Sequence, residues 1–301
     1  MPATAVAFHS DRHRIAAHLY VPESTARAKR PAIVLAQGMV GRKELFGFPR
    51  IAERFNALGY VALALDYRGV GDSEGERGRL FPHELVEDLR NAVTFLEQQP
   101  GIAPGRIALW GTSFGGATVP CATALDRRVC AAVSIAGFGD GERWLLGRRS
   151  AAQRAALERR IAADRRQRVL TGRSELVAPS ELFAPDERSA EARARVVDGP
   201  PGMDVRTPHV TLESVERILE FRPAAIVDRI APRPVLFVAA ELDTVTPADD
   251  IVDLYRRAGE PKRVEIVPAI THYEIYAEPH LGRIVGWTHE WLSEGRAATQ
   301  P

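Results

Sequence analysis

Three side chains in this sequence have the types that nucleophilic catalysis requires: Ser113 in "GTSFGG", Asp243 in "ELDTVTP" and His272 in "ITHYEIY". A serine hydroxyl attacks poorly at neutral pH unless a base takes its proton. That base needs a carboxylate to hold its tautomer and to stabilise its charged form. The glycines beside the serine have a mechanical use, because Gly111, Gly115 and Gly116 let a strand, a sharp turn and a helix approach closely. A lone Gly-x-Ser-x-Gly is also what an ordinary strand-to-helix turn looks like, so Ser113 by itself decides nothing.

The surrounding elements give the three residues their meaning. "PAIVLAQG", "YVALALDY", "RIALWG", "VCAAVSIAG" and "RPVLFVAAEL" are apolar runs of the kind that lie buried on both faces of a parallel sheet. Between the first two, Phe48, Ile51, Ala52, Phe55 and Leu58 recur at helical spacing; Leu85, Leu89, Val93 and Leu96 do so further on. This alternation predicts an α/β protein with a mostly parallel twisted sheet flanked by helices. Two short strands, "TAVAFHS" and "RIAAHLYVP", precede it. Late in the chain, "IVDLYRRAG" reads as a helix, "KRVEIVPAI" as a last strand and "LGRIVGWTHEWLSEG" as an amphipathic closing helix. The inner face of that helix, Ile284, Trp287, Thr288, Trp291 and Leu292, packs either on its own sheet or partly on a second subunit of a homodimer.

In such a sheet, functional residues belong in the loops just past the C-terminal ends of the strands. Ser113, Asp243 and His272 each stand there, and of the eight histidines only His272 does. Glu241, Asp249 and Asp250 compete with Asp243, which lies closest to its strand end without being part of the strand. The negative charge that develops during acyl transfer needs two backbone N–H donors. One belongs to Phe114, directly after the serine, and the other to Met39 in the loop "AQGMVG".

Composition narrows the remaining choices. The 301 residues carry a net charge of +1, 45% hydrophobic and 26% charged residues, as in an ordinary globular protein with no pull toward nucleic acid. Cys121 and Cys130 form neither a disulfide framework nor a metal-ligand spacing. No apolar run reaches the ~20 residues of a membrane span, and the first residues lack a signal-peptide pattern. The expectation is a cytoplasmic protein that needs neither metal nor cofactor.

From about 138 to 225 the pattern changes. "RWLLGRRSAAQRAALERRIAADRRQRVL" favours helix, "APSELFAPDERSAEARARVVDGPPGMDVRTPHV" reads as loop and "TLESVERILEF" as helix again. The division expected is a core of 1–137 and 226–301 with a helical cap of 138–225 inserted after the sixth strand. The arginines of the cap either steer an anionic substrate or form a solvated helix face, the commoner meaning of such runs. Trp144, Leu145 and Leu146 wall an acyl pocket or form the cap's own core.

The motifs "QGMVG", "DYRGVGDSEG", "GTSFGG", "ELDTVTP" and "THYEIY" together resemble the α/β-hydrolase superfamily, over most of the chain outside 138–225. The sequence looks most like bacterial capped serine hydrolases similar to FrsA-type esterases and to the Xaa-Pro dipeptidyl-peptidase-like group. The order Ser113, Asp243, His272 is that superfamily's order. The resemblance implies cleavage of a carboxylic ester, or a related acyl bond, of a small molecule through an acyl-enzyme. Carbon–carbon (diketone) hydrolysis, thioester or amide cleavage on the same residues, and non-catalytic binding of a small molecule are the alternatives. Gln37 stands where many members have histidine, and so becomes a candidate for shaping the acyl side. Asp66, Arg68 and Asp72 of "DYRGVGDSEG" are implied to brace loops rather than to react.

Overall fold

Strict alternation of buried side chains builds the centre of the sheet. In β3 (Arg30–Ala36), Ala32, Val34 and Ala36 enter one apolar layer while Ile33 and Leu35 enter the other. The computed structural model describes residues 3–23, 29–183, 185–197, 199, 203 and 208–297. Two strands, β1 (Thr4–Ser10) and β2 (His13–Tyr20), lead in. After β3 come α1 (Phe48–Ala57), β4 (Val61–Leu65), α2 (Pro82–Glu97), β5 (Ile102–Thr112), α3 (Phe114–Leu125) and β6 (Val129–Ile135). The chain returns to the sheet with β9 (Val235–Ala240), α9 (Ala248–Arg257), β10 (Lys262–Val267) and α10 (His280–Ala297). The order across the eight-stranded sheet is β1-β2-β4-β3-β5-β6-β9-β10. Among the described residues of this sheet, only the β1–β2 and β2–β4 pairings are antiparallel. This is the expected doubly covered α/β architecture.

Each face of the sheet has its own helical cover. Phe48, Ile51 and Phe55 of α1 and Ile284 and Leu292 of α10 pack on one face. There Phe48 and Phe55 meet Trp110 of β5 edge-on, with ring centroids 6.2 Å apart. Leu85 and Leu89 of α2, Val119 of α3 and Leu254 of α9 cover the other. Each such burial contributes about 1.5–3 kcal/mol. Among the described residues no helix is long and apolar enough to cross a membrane.

Between β6 and β9 lies an insertion of α4 (Gly141–Leu146), α5 (Ala151–Thr171), β7 (Leu176–Val177), α6 (Pro179–Leu182), α7 (Glu187–Val196), β8 (Val210–Thr211) and α8 (Leu212–Leu219). Leu157, Ile161, Val215 and Ile218 join its helices to the core layer of α2 and α3. The helical run expected from Arg143 onward is two helices. Ser150 divides them, capping α5 by accepting from the Gln153 N–H while Gln153 returns a bond to the Ser150 N–H. The reading of 178–210 as loop is corrected, because Asp186 caps α7 through the Ser189 N–H and Ala192 and Val196 are buried. One buried side chain per helical turn is too sparse a pattern to announce a helix. Most of 198–207 lies outside the described residues. A two-residue antiparallel pair, β7 with β8, also escaped a search for longer apolar runs.

Candidate active site

Ser113 closes β5 and opens α3 with φ 56° and ψ −119°, a left-handed backbone that a side-chain-bearing residue seldom adopts. Close packing holds it there. A Cβ on Gly115 would stand 2.3 Å from the Ala36 carbonyl oxygen, and one on Gly116 would stand 2.6 Å from that of Ile135. The two glycines therefore let α3 sink between the ends of β3 and β6. The Ser113 N–H donates to the Ile135 carbonyl at 2.8 Å, fixing the turn to the neighbouring strand.

Asp243 follows β9 and His272 begins a short 3-10 helix, His272–Tyr276, after β10. His272 Nδ1 lies 2.6 Å from Asp243 Oδ2, and Nε2 lies 3.0 Å from Ser113 Oγ. An ionised carboxylate only accepts, so Nδ1 carries the proton and Nε2 is the acceptor for the serine O–H. Asp243 Oδ1 accepts from the Val245 and Thr246 N–H groups at 2.8 and 2.7 Å, which aims the other oxygen at the ring. Asp243 is 4% exposed and His272 is 1% exposed, so little water competes for these bonds. Glu241 instead accepts from the Ala269 N–H, and Asp250 pairs with Arg143. Of the four acids near β9, only Asp243 meets the histidine among the described residues.

Thr246 was not singled out by sequence reasoning. Its hydroxyl donates to the Ala136 carbonyl at 2.7 Å, and its oxygen lies 3.1 Å from both Asp243 Oδ2 and His272 Nδ1. A threonine three residues after a strand-end acid is a common local cap, and nothing in the chain order ties it to a histidine 26 residues later.

Opposite Ser113, the turn after β3 runs through Gly38, Met39, Val40 and Gly41, closed by the Gly41 N–H on the Gly38 carbonyl at 3.1 Å. A Cβ on Gly38 would come within 3.2 Å of Ser113 Cβ, so the bare backbone is what lets the turn approach the serine. Phe114 is the first residue of α3, where an N–H has no partner inside the helix. Among the described residues neither the Met39 nor the Phe114 N–H meets a backbone acceptor.

The turn is anchored from behind. Lys43 donates its N–H to Asp66 Oδ1, and its Nζ sits 2.7, 2.6 and 2.6 Å from Asp66, Asp72 and Glu44. These three carboxylates are the described cluster with metal-ligand spacing, and the lysine ammonium stands among them. Burial alone would lower the Lys43 pKa, but Asp66 and the three hydrogen bonds outweigh it and raise it. Arg68 donates to Asp88 three times, twice from its guanidinium and once from its backbone N–H, and also reaches Ser10 and Asp11. Asp66, Arg68 and Asp72 thus brace loops.

Ser113 and His272 open into a cavity of about 260 Å³. Its walls come from Met39 and Phe46 on one side, Trp144 and Phe183 of the insertion on another, and Tyr273 and Tyr276 beside His272. Trp144 lines the cavity, stacks on Phe138 at 4.2 Å and donates Nε1–H to the Val245 carbonyl at 2.7 Å. Gln37 is corrected, since it is absent from the lining. Its amide is 1% exposed beneath Gly41, whose missing side chain lets the turn fold over it, and neither amide atom has a partner among the described residues. Phe183 and the tyrosines were also missed, because only packing aims them inward.

A family model described as serine aminopeptidase, S33, matches residues 27–280. The chain belongs to this serine hydrolase family. An uncharacterized protein from the traX-finO intergenic region of Escherichia coli is similar to it, 31% identical over 95% of this chain and 98% of the relative. A thiohydrolase of Aspergillus aculeatus is 27% identical over 95% of this chain and 88% of the relative. The crystal structure of an α/β hydrolase from a Penicillium species superposes with a TM-score of 0.83 at 25% identity, covering 99% of this chain and 100% of the other. The α/β-hydrolase fold implied by the resemblance of the motifs is therefore shown by sequence and by structure.

Proposed function

We propose that this hydrolase cleaves a carboxylic ester of a small acyl group through an acyl-enzyme on Ser113. The observation that carries the proposal is the unbroken chain from Asp243 through His272 to Ser113, at 2.6 and 3.0 Å, opening into a mainly apolar cavity. His272 takes the serine proton as Oγ attacks the carbonyl, and Asp243 stabilises the imidazolium that forms. The Met39 and Phe114 N–H groups bind the oxyanion. His272 then returns the proton to the leaving alcohol, activates water and frees the acid. Thr246 positions the Asp243–His272 pair, and the insertion acts as a cap over the acyl group. A volume near the lower end of ligand pockets favours a compact substrate.

Labelling with a fluorophosphonate probe and turnover of p-nitrophenyl acetate test the reading. Wild type should do both and Ser113→Ala neither; equal turnover by the two proteins would overturn it. A thioester substrate is the second reading, favoured by the similar thiohydrolase. Oxygen and sulfur esters of one acyl group, compared by kcat/KM, separate the two.

A further inference from the structure

A second cavity, a groove of about 700 Å³, lies across the starts of β3, β5, β6 and β9, four strands that are consecutive in the sheet. Arg106 of β5, Arg127 and Arg128 from the turn before β6, and Arg233 from the segment before β9 all line it. No aspartate or glutamate stands among the described lining residues. Ser113 lies at the far end of β5, about 23 Å from Arg106 at the rise of an extended chain, so the groove is no branch of the catalytic cavity.

The four cations are unequally compensated. Arg128 holds Asp126 at 2.6 Å and Glu97 at 2.9 Å. Arg233 donates only to carbonyl oxygens, those of Ile230, Asp126, Val129 and Arg229, and so is hydrogen-bonded without a counter-ion of its own. Burial lowers the Arg233 pKa, Asp126 opposes this and Arg127 adds to it. Among the described residues the guanidinium groups of Arg106 and Arg127 meet no carboxylate. Asp126, the carboxylate closest to the groove, is already taken by Arg128. Like charges therefore face one space, and an anion entering it relieves their repulsion.

Guanidinium forks match the paired oxygens of a phosphate, which accepts two parallel hydrogen bonds from each. The groove is much larger than a phosphate alone needs and has the volume of a small-molecule site. Pro31, Pro232, Pro234 and Leu292 give it an apolar side. We propose that this groove is a second ligand site, which takes a phosphate ester of a compact apolar group. Arg106 and Arg127 hold the phosphate, and the prolines pack against the apolar part. The site stands whatever bond Ser113 cleaves.

Isothermal titration of the full chain with phenyl phosphate at constant ionic strength tests this, with inorganic phosphate and phenol as head and body alone. Wild type should bind one phenyl phosphate per chain, more tightly than either part. Arg106→Gln combined with Arg127→Gln should weaken binding about 10- to 100-fold, the range of a hydrogen bond to a charged group, and should keep the wild-type Tm. Arg159→Gln combined with Arg166→Gln removes equal charge from the exposed face of α5 and should leave the affinity unchanged. No saturable binding by wild type, an affinity that the groove variant leaves intact, or an equal loss in the α5 variant would overturn the proposal. Phenyl phosphate binding no tighter than inorganic phosphate would do so too, because the apolar side would then contribute nothing.

Discussion

The strand ends that carry Ser113, Asp243 and His272 and the insertion between β6 and β9 are stabilised by different physics. At the strand ends, charge is buried and satisfied: Asp243, His272, Lys43 and Asp66 are all nearly inaccessible, and each has geometry set by backbone donors or a buried counter-ion. In the insertion, most charge stays at the surface, where Arg160, Arg165 and Arg195 bridge carboxylates in contact with water. Buried, hydrogen-bonded charge specifies position and is intolerant of change. Exposed ion pairs contribute little apiece and tolerate substitution. One region thus holds its side chains in a fixed geometry and the other supplies an adjustable wall of the cavity.

The largest effects should come from breaking the rigid side. Ser113→Ala or His272→Ala should lower kcat on the order of 10⁶-fold, with the double variant no worse than either single one. Asp243→Asn should lower it by about 10⁴-fold. Steady-state ester hydrolysis measures all three, and a loss smaller than tenfold at Asp243 would return the role to Glu241 or Asp250. Next, Lys43→Met leaves the buried Asp66 without its ammonium and should destabilise the fold by about 3–5 kcal/mol in chemical denaturation. A change below 1 kcal/mol would show that the turn holding Met39 is anchored elsewhere.

Finer substitutions sharpen the contrast. Thr246→Val removes the hydroxyl that touches Ala136, Asp243 and His272; kcat should fall roughly tenfold, about 1.4 kcal/mol of barrier, with KM little changed. A rise in KM alone would make it a binding residue instead. Phe183→Ala enlarges the insertion's side of the cavity and should move the preferred acyl length upward by roughly two carbons, since each buried CH₂ is worth about 0.8 kcal/mol. A series of p-nitrophenyl esters from acetate to decanoate reads this directly. Smallest of all, Arg160→Ala should change stability by only about 0.2–1 kcal/mol despite losing two carboxylate contacts. A larger loss in thermal denaturation would show that the two regions differ less than their burial indicates.

The two regions were also unequally legible. Continuous apolar runs ending in glycine or a polar residue located β3, β5, β6 and β9, because strands buried on both faces leave no other pattern. Ser113, Asp243 and His272 followed from those ends, since a parallel sheet gathers its C-terminal loops along one edge. The insertion offered no comparable constraint. Helix α7 buries Ser189, Ala192 and Val196 among charged neighbours, and such a face is indistinguishable from loop until a partner is present. The side chain of Gln37 was expected to shape the acyl site, yet the backbone of the Gly38–Gly41 turn lies over it.

Chain order and hydrophobic period by themselves determined the α/β architecture and the three residues at the strand ends, because both depend on local patterns that burial enforces. Only the tertiary structure decided the rest: that Thr246 touches the acid and the histidine, that an ammonium occupies the carboxylates of the Met39 loop's anchor, and that Phe183, Tyr273 and Arg193 meet around Ser113. Those contacts join residues far apart in the chain. Their distances depend on how helices settle on the sheet, and no local period records that.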